Sequence, residues 1–190
     1  MAEKSPGPVK LRLALGAEQY LVKVEQRRRA IMEAVLKLPL AVVVWGPGPN
    51  QTSAAAFTRL QLRDELIRNG HIADFSEDLI DPESPLALPV QQLAHVEAAD
   101  LVLSIPDSIG SFAEIHDFAR LPAVANKIIA FLNREWADNY SSRSLVELQS
   151  QATCAVEPYD ATNLPGCIIE RAMEHVRRLQ QLHFFQGRRV

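Results

Sequence analysis

Two short segments concentrate the residues whose types and spacing could do chemistry. The first, Gly46-Pro47-Gly48-Pro49-Asn50, follows a β-branched apolar run and leads into Thr52 and Ser53. Glycines let a backbone come close to a ligand, and a helix starting just beyond them turns free N–H groups and the positive end of its dipole toward an anion. The lysine and Ser/Thr of a Walker loop are missing, and so is the full GxGxxG spacing. A plain tight turn, with Asn50, Thr52 or Ser53 as helix cap, accounts for the same residues.

The second segment runs from Ser104 through Ile105, Pro106, Asp107, Ser108, Ile109, Gly110, Ser111, Phe112 and Ala113 to Glu114. It ends a strand, turns through Gly110 and opens a helix. Ser111 and Glu114 stand three apart, the spacing of a capping box, in which each side chain satisfies the other residue's backbone N–H. Such a cap contributes about 1 kcal/mol, enough to explain both residues without chemistry. The competing role is at a sugar. Breaking an N-glycosidic bond develops oxocarbenium charge, which a carboxylate can stabilise or trap covalently. Asp107, Ser104 and Ser108 are the nearest groups to hold hydroxyls or assist a leaving base.

Both segments need a scaffold that brings strand ends and helix starts together. The run LAVVVW at 40–45 is continuous and β-branched, as for a strand buried on both faces of a parallel sheet. Further strands are expected at 71–75, 100–105 and 127–132, with a short fifth at 154–156. Helices are expected at 19–37, 52–69, 89–99, 111–125 with an interruption near Pro122, and 163–185. Leu21, Val24, Ile31, Val35 and Leu36 give the first helix its helix-like period, and apolar spacing turns Phe57, Leu60, Leu62, Leu66 and Ile67 inward on the second. Strands alternating with helices specify βαβ units. The fold class is therefore α/β, a single Rossmann-like domain with a parallel sheet of about five strands flanked by helices. In such sheets ligands bind beyond the carboxyl ends of the strands, where both segments fall.

The early glycine-rich loop, the later strand, Pro106-Asp107 and then Gly110-Ser111-Phe112-Ala113-Glu114 together resemble the nucleoside 2-deoxyribosyltransferases and the LOG-type phosphoribohydrolases grouped with them. The likeness spans roughly residues 40–135 and includes Asp74 and Asp100. It departs from the LOG-type motif, where Pro106-Asp107-Ser108-Ile109 replaces a double glycine, and it has Trp45 where tyrosine is usual. The resemblance implies cleavage or transfer at the N-glycosidic bond of a nucleoside, nucleotide or NAD-like ligand, with Glu114 as nucleophile and Asp107 assisting. Trp45, Gly46, Pro47, Gly48, Asn50, Asp74, Ser104, Ser108, Gly110 and Ser111 would line the substrate site. It also implies a homo-oligomer, and requires no cofactor. The alternative is a noncatalytic nucleotide-sensing domain that acts with a partner effector, with Glu114 merely capping its helix.

Composition narrows the classes. The 190 residues suit one core, and 47% hydrophobic with 23% charged residues is ordinary for a globular chain. Residues 1–10, with two prolines and a glycine, read as a flexible tail, leaving 11–190 as the domain. A formal net charge of -3 gives no field that would draw the chain to nucleic acid or an anionic membrane. Arg27-Arg28-Arg29 and Arg188-Arg189 read as solvated faces. Five histidines and two cysteines fall at no metal-ligand spacing, so no metal is expected. Cys154 and Cys167 read as small core residues in a reducing cytoplasm. Trp136 and Tyr140, four apart, read as helix packing, with base stacking as the alternative. The C-terminal helix carries an apolar stripe through Ile168, Ile169, Met173, Val176, Leu179 and Leu182.

Overall fold

Apolar β-branched runs form the strands, and polar-faced segments between them form the covering helices. The structure, a computed structural model, describes residues 15–48, 50–136, 143 and 154–188. The expected tail at 1–10, Pro49, Tyr140 and Arg189 lie outside them. Five strands, β1 (Ala41–Trp45), β2 (Ile72–Phe75), β3 (Leu101–Ser104), β4 (Ile128–Asn133) and β5 (Ala155–Tyr159), build one sheet. Every pairing is parallel, in the order β2-β1-β3-β4-β5. The helices are α1 (Leu15–Leu36), α2 (Ala54–Arg68), α3 (Leu88–Ala98), α4 (Ile109–Phe118), α5 (Pro122–Ala125) and α6 (Gly166–Phe185). This is the α/β, Rossmann-like architecture expected from the sequence.

Alternation along each strand divides the core into two layers. Val42, Val44, Phe75, Leu103 and Phe131 pack with Leu62 and Leu66 of α2 and with Ile168, Ala172 and Val176 of α6. On the other face Val43, Trp45, Val102 and Ile128 pack with Val96 of α3, Phe112, Ile115 and Phe118 of α4, and Val124 of α5. Burial of this apolar surface, at about 25 cal/mol per Å², is the main force holding helices to sheet.

The interruption expected near Pro122 is present and divides 111–125 into α4 and α5, because proline fits only the first turn of a helix. Other elements differ from the sequence reading. β5 reaches Tyr159 instead of stopping at Val156. It tolerates Pro158 because it is an edge strand that pairs only with β4. Phe57 and Ile67 of α2 are exposed, and Arg59 takes the buried position between them. On α1, Leu21, Ile31 and Leu36 are exposed while Val35 is buried. On α6, Ile168, Met173 and Val176 are buried and Leu182 is exposed. Among the described residues no helix is long and apolar enough to cross a membrane.

Candidate functional site

The connections from β1 diverge to the two sides: one leads to β2 at the edge, while β3 lies on β1's other flank. This switch point lies between the carboxyl ends of β1 and β3, the usual ligand position in doubly wound sheets. Trp45 and Ser104 are paired across it as the last residues of the two strands. Both candidate loops leave from there and touch. Ile105 N–H donates to the Trp45 carbonyl at 3.0 Å. Gly46 has φ +148°, and a Cβ on it would lie 2.8 Å from the Ile105 carbonyl oxygen. Only glycine fits there, both for its backbone angle and for the contact between loops. Its role is to seat one loop on the other.

Arg59 of α2 fastens the same corner from behind. Its side chain is 1% exposed. It donates to the Val44 carbonyl at 2.7 and 3.2 Å, to the Pro47 carbonyl at 2.9 Å, and to both carboxylate oxygens of Glu77 at 2.6 Å. Its guanidinium also lies 4.2 Å from the centroid of the Phe75 ring. The end of β1, the glycine loop and the 3-10 turn Ser76–Leu79 are thus held by one planar cation. Burial pushes the Glu77 carboxyl up, but the Arg59 hydrogen bonds, a backbone N–H and the Arg59 charge outweigh it, and Glu77 stays below the ordinary carboxylate range.

The start of α4 corrects the expected cap. Ser108, not Ser111, is the N-cap: its hydroxyl accepts from Ser111 N–H at 3.3 Å, and the Ser111 hydroxyl accepts from Ser108 N–H at 3.1 Å. Ser111 also donates to the Ser108 carbonyl at 2.9 Å and accepts from Asp107 N–H at 3.1 Å. Its hydroxyl is fully committed to the turn. Gly110 is helical, in the first turn of α4, and does not make the turn expected of it. Its φ is not positive, and a Cβ there would meet nothing nearer than the Ser108 hydroxyl at 3.9 Å. Nothing inside the protein requires glycine at this exposed position.

Glu114 is thereby released from capping. It lies one turn before Phe118, whose ring packs on Trp45 with centroids 5.4 Å apart, and its side chain reaches across to α3, within range of the Arg59 and Glu77 charges. Gln92 of α3 donates to Glu114 Oε1 at 2.8 Å. Burial raises the Glu114 pKa, and the Glu77 charge raises it further; the Gln92 hydrogen bond and the Arg59 charge lower it, and the net shift is upward. A half-buried carboxyl with one oxygen held and an elevated pKa is the kind of group found at reaction centres.

Asp107 sits in a different neighbourhood. The Ser53 hydroxyl, which accepts from Ala56 N–H at 3.1 Å as the N-cap of α2, donates to Asp107 Oδ2 at 2.9 Å. This bond joins the N-termini of α2 and α4. Burial raises the Tyr159 hydroxyl to about 12, and the Asp107 charge adds to the shift, so Tyr159 at the end of β5 remains a hydrogen-bond donor. Asp107 and Glu114 share no partner among the described residues. Asp74 lies elsewhere again, mid-strand on β2 opposite Val43, where it lines a cleft with Ile72, Leu79 and His95.

Three further strand-end groups are notable for what they lack. Trp45 Nε1, Ser104 Oγ and Ser76 Oγ are buried with no hydrogen-bond partner among the described residues. They stand at the carboxyl ends of β1, β3 and β2, and an unpaired buried polar group costs about 1–3 kcal/mol. Of the remaining loop residues, Pro47 is buried, Gly48 is half-buried and Asn50 is exposed. Trp136 packs on Phe112 of α4, centroids 6.2 Å apart; its expected packing with Tyr140 falls outside the described residues. Cys154 is buried and its thiol is pushed up to about 11 by that burial.

Arg59, Glu77, Gln92 and Tyr159 were not visible as site residues in the sequence. Arg59 reads as a solvent-facing arginine on an amphipathic helix, and Tyr159 lies beyond Val156, where the fifth strand was expected to end. The fold is that of a Rossmann-like α/β protein, with the N-termini of α2 and α4 joined at the carboxyl ends of β1 and β3. The chain matches no protein-family model and no curated protein.

Proposed function

We propose that this protein cleaves or transfers the N-glycosidic bond of a nucleoside, nucleotide or NAD-like ligand, with the Glu114 carboxylate attacking the anomeric carbon. The observation that carries the reading is the capping register: Ser108 and Ser111 cap α4 between them, leaving Glu114 half-buried and, among the described residues, bonded to Gln92 alone. A glutamate that serves no helix end, with its pKa raised mainly by burial, is suited to attack or to charge stabilisation at a sugar. In the covalent route Glu114 forms a bond to the anomeric carbon as the bond to the base breaks. The base leaves with the bonding electrons and takes a proton from solvent or a neighbouring acid. Water or a second base then displaces the glutamate.

The surroundings support this division of labour. The joined N-termini of α2 and α4 favour a phosphate or a polarised hydroxyl. Gly110 leaves the first turn of α4 open to backbone contact. Tyr159 and Ser104 supply neutral polar groups for sugar hydroxyls. A noncatalytic nucleotide-sensing role with a partner effector is the second reading. It is favoured by the position of Asp107, which is bonded to Ser53 and shares no partner with Glu114.

Free-base release from nucleosides, nucleotides and NAD, followed by chromatography, separates the two. Release by the wild type and at least a hundredfold less from Glu114→Gln supports the enzyme. Ligand-raised thermal stability with no product from either protein supports the sensor. Because the nucleophile must be ionised and its pKa is raised, the acid limb of kcat/KM is expected above the ordinary carboxylate range.

A further inference from the structure

α1 has 22 residues and so spans about 33 Å, yet among the described residues only its C-terminal end meets the domain. Val35 is 4% exposed and Leu38, just beyond the helix, 1%. Gln180 of α6 donates to the Leu36 and Leu38 carbonyls at 3.3 and 2.8 Å. From 16 to 33 every residue is exposed except the half-buried Ala17 and Val24. This stretch nevertheless carries Tyr20 at 66%, Leu21 at 50% and Met32 at 55% exposure. A lone helix of this length is marginal in water, and most helix stability comes from packing a face. The exposed pairs of Glu25 with Arg28 and Arg29 contribute little.

The face in question is ordered. Ala17, Leu21, Val24, Arg28, Ile31, Val35 and Leu38 follow one another in alternating steps of four and three, the spacing of a helix seam. At Val35 and Leu38 the seam is buried in the domain, and it continues without a break into the exposed turns. The charge along it is divided. Residues 15–25 carry Glu18 and Glu25 against Lys23, and residues 26–37 carry Arg27, Arg28, Arg29 and Lys37 against Glu33. The halves are thus net acidic and strongly basic.

We infer that α1 is a dimerisation helix whose seam packs antiparallel against α1 of a second copy of this chain. Both arrangements are compatible with a two-fold axis, and charge decides between them: antiparallel packing sets the acidic half of each helix on the basic half of the other, whereas parallel packing would set basic on basic. The inference rests on α1 alone and does not depend on the catalytic reading.

Sedimentation equilibrium of the full chain tests it. The wild type is expected at twice the chain mass, and Leu21→Glu with Ile31→Glu at the chain mass, with the fluorescence of buried Trp45 unchanged to show an intact core. Reversing Arg27, Arg28 and Arg29 to Glu should raise the dissociation constant at least tenfold. Adding Glu18→Lys and Glu25→Lys should restore it, because the halves are then opposite again. A wild type that is monomeric at every concentration, a dimer that survives Leu21→Glu with Ile31→Glu, or a charge swap that restores nothing each overturns the proposal.

Discussion

Arg59→Met keeps the hydrocarbon stem against Phe75 but removes every hydrogen bond that joins β1, the glycine loop and Glu77. The buried carbonyls of Val44 and Pro47 lose their donor, at about 1–3 kcal/mol each. The Glu77 side chain is 43% exposed, so water rehydrates it and loss of the ion pair counts for much less than in a fully buried pair. The sum is about 4 kcal/mol, which for a chain of this size lowers Tm by on the order of 8–16 °C. Urea unfolding followed by far-UV circular dichroism and tryptophan fluorescence reads the change, with the m value constant. Glu77→Gln should also destabilise, and the double variant should cost less than the two singles together, since they remove one shared interaction. A loss below about 1 kcal/mol for Arg59→Met, or strict additivity, would mean that the guanidinium does not hold this corner.

Gly46→Ala should destabilise by about 1–3 kcal/mol through its left-handed φ and the contact with Ile105, whereas Gly110→Ala should be neutral or gain up to about 1 kcal/mol while weakening nucleotide binding; denaturation and titration calorimetry read the two effects. Ser108→Ala should cost about 1 kcal/mol as a lost cap, and Glu114→Gln should leave stability nearly unchanged, an ordering that would reverse if Glu114 closed the capping box. His71 is buried, and its Nδ1 accepts from Leu40 N–H at 3.2 Å. Burial lowers its pKa below the usual 6.5, so the unfolded chain takes up the proton first. Stability is therefore full above about pH 6.5 and falls as pH drops through that value toward the folded pKa. The urea midpoint measured from pH 8 to pH 5 should show this fall, and His71→Gln should flatten it.

The strands were legible because LAVVVW, DLVLSI and KIIAFL are apolar on both faces, and only a doubly covered parallel sheet needs that. The meeting of the two loops was legible for the same reason: a glycine loop after β1 and a Ser-rich loop after β3 must leave side by side at the switch point. The capping register was not. Ser108, Ser111 and Glu114 form two overlapping signals three residues apart, and the earlier one prevails, starting α4 a turn sooner. Arg59 was hidden because periodicity ranks residues by hydropathy, and a buried arginine whose donors are all used looks like a surface one until the carbonyls around it are placed. On α1 the helix-like period was legible, but periodicity could not tell which of its apolar residues meet the domain: Val35 is buried, while Leu21 and Ile31 are exposed.

The seat of Gly46 on the Ile105 carbonyl also sorts the positions at which this protein can vary. Position 46 admits one residue, and position 59 must reach three acceptors at once, so neither can change without disturbing both loops. Gly48, Asn50 and Gly110 face open space or a distant neighbour and carry no such obligation. Residues at 48, 50 and 110 can therefore change while the frame beneath stays the same. A library randomised at those three positions should keep its fold far more often than one randomised at 46 and 59.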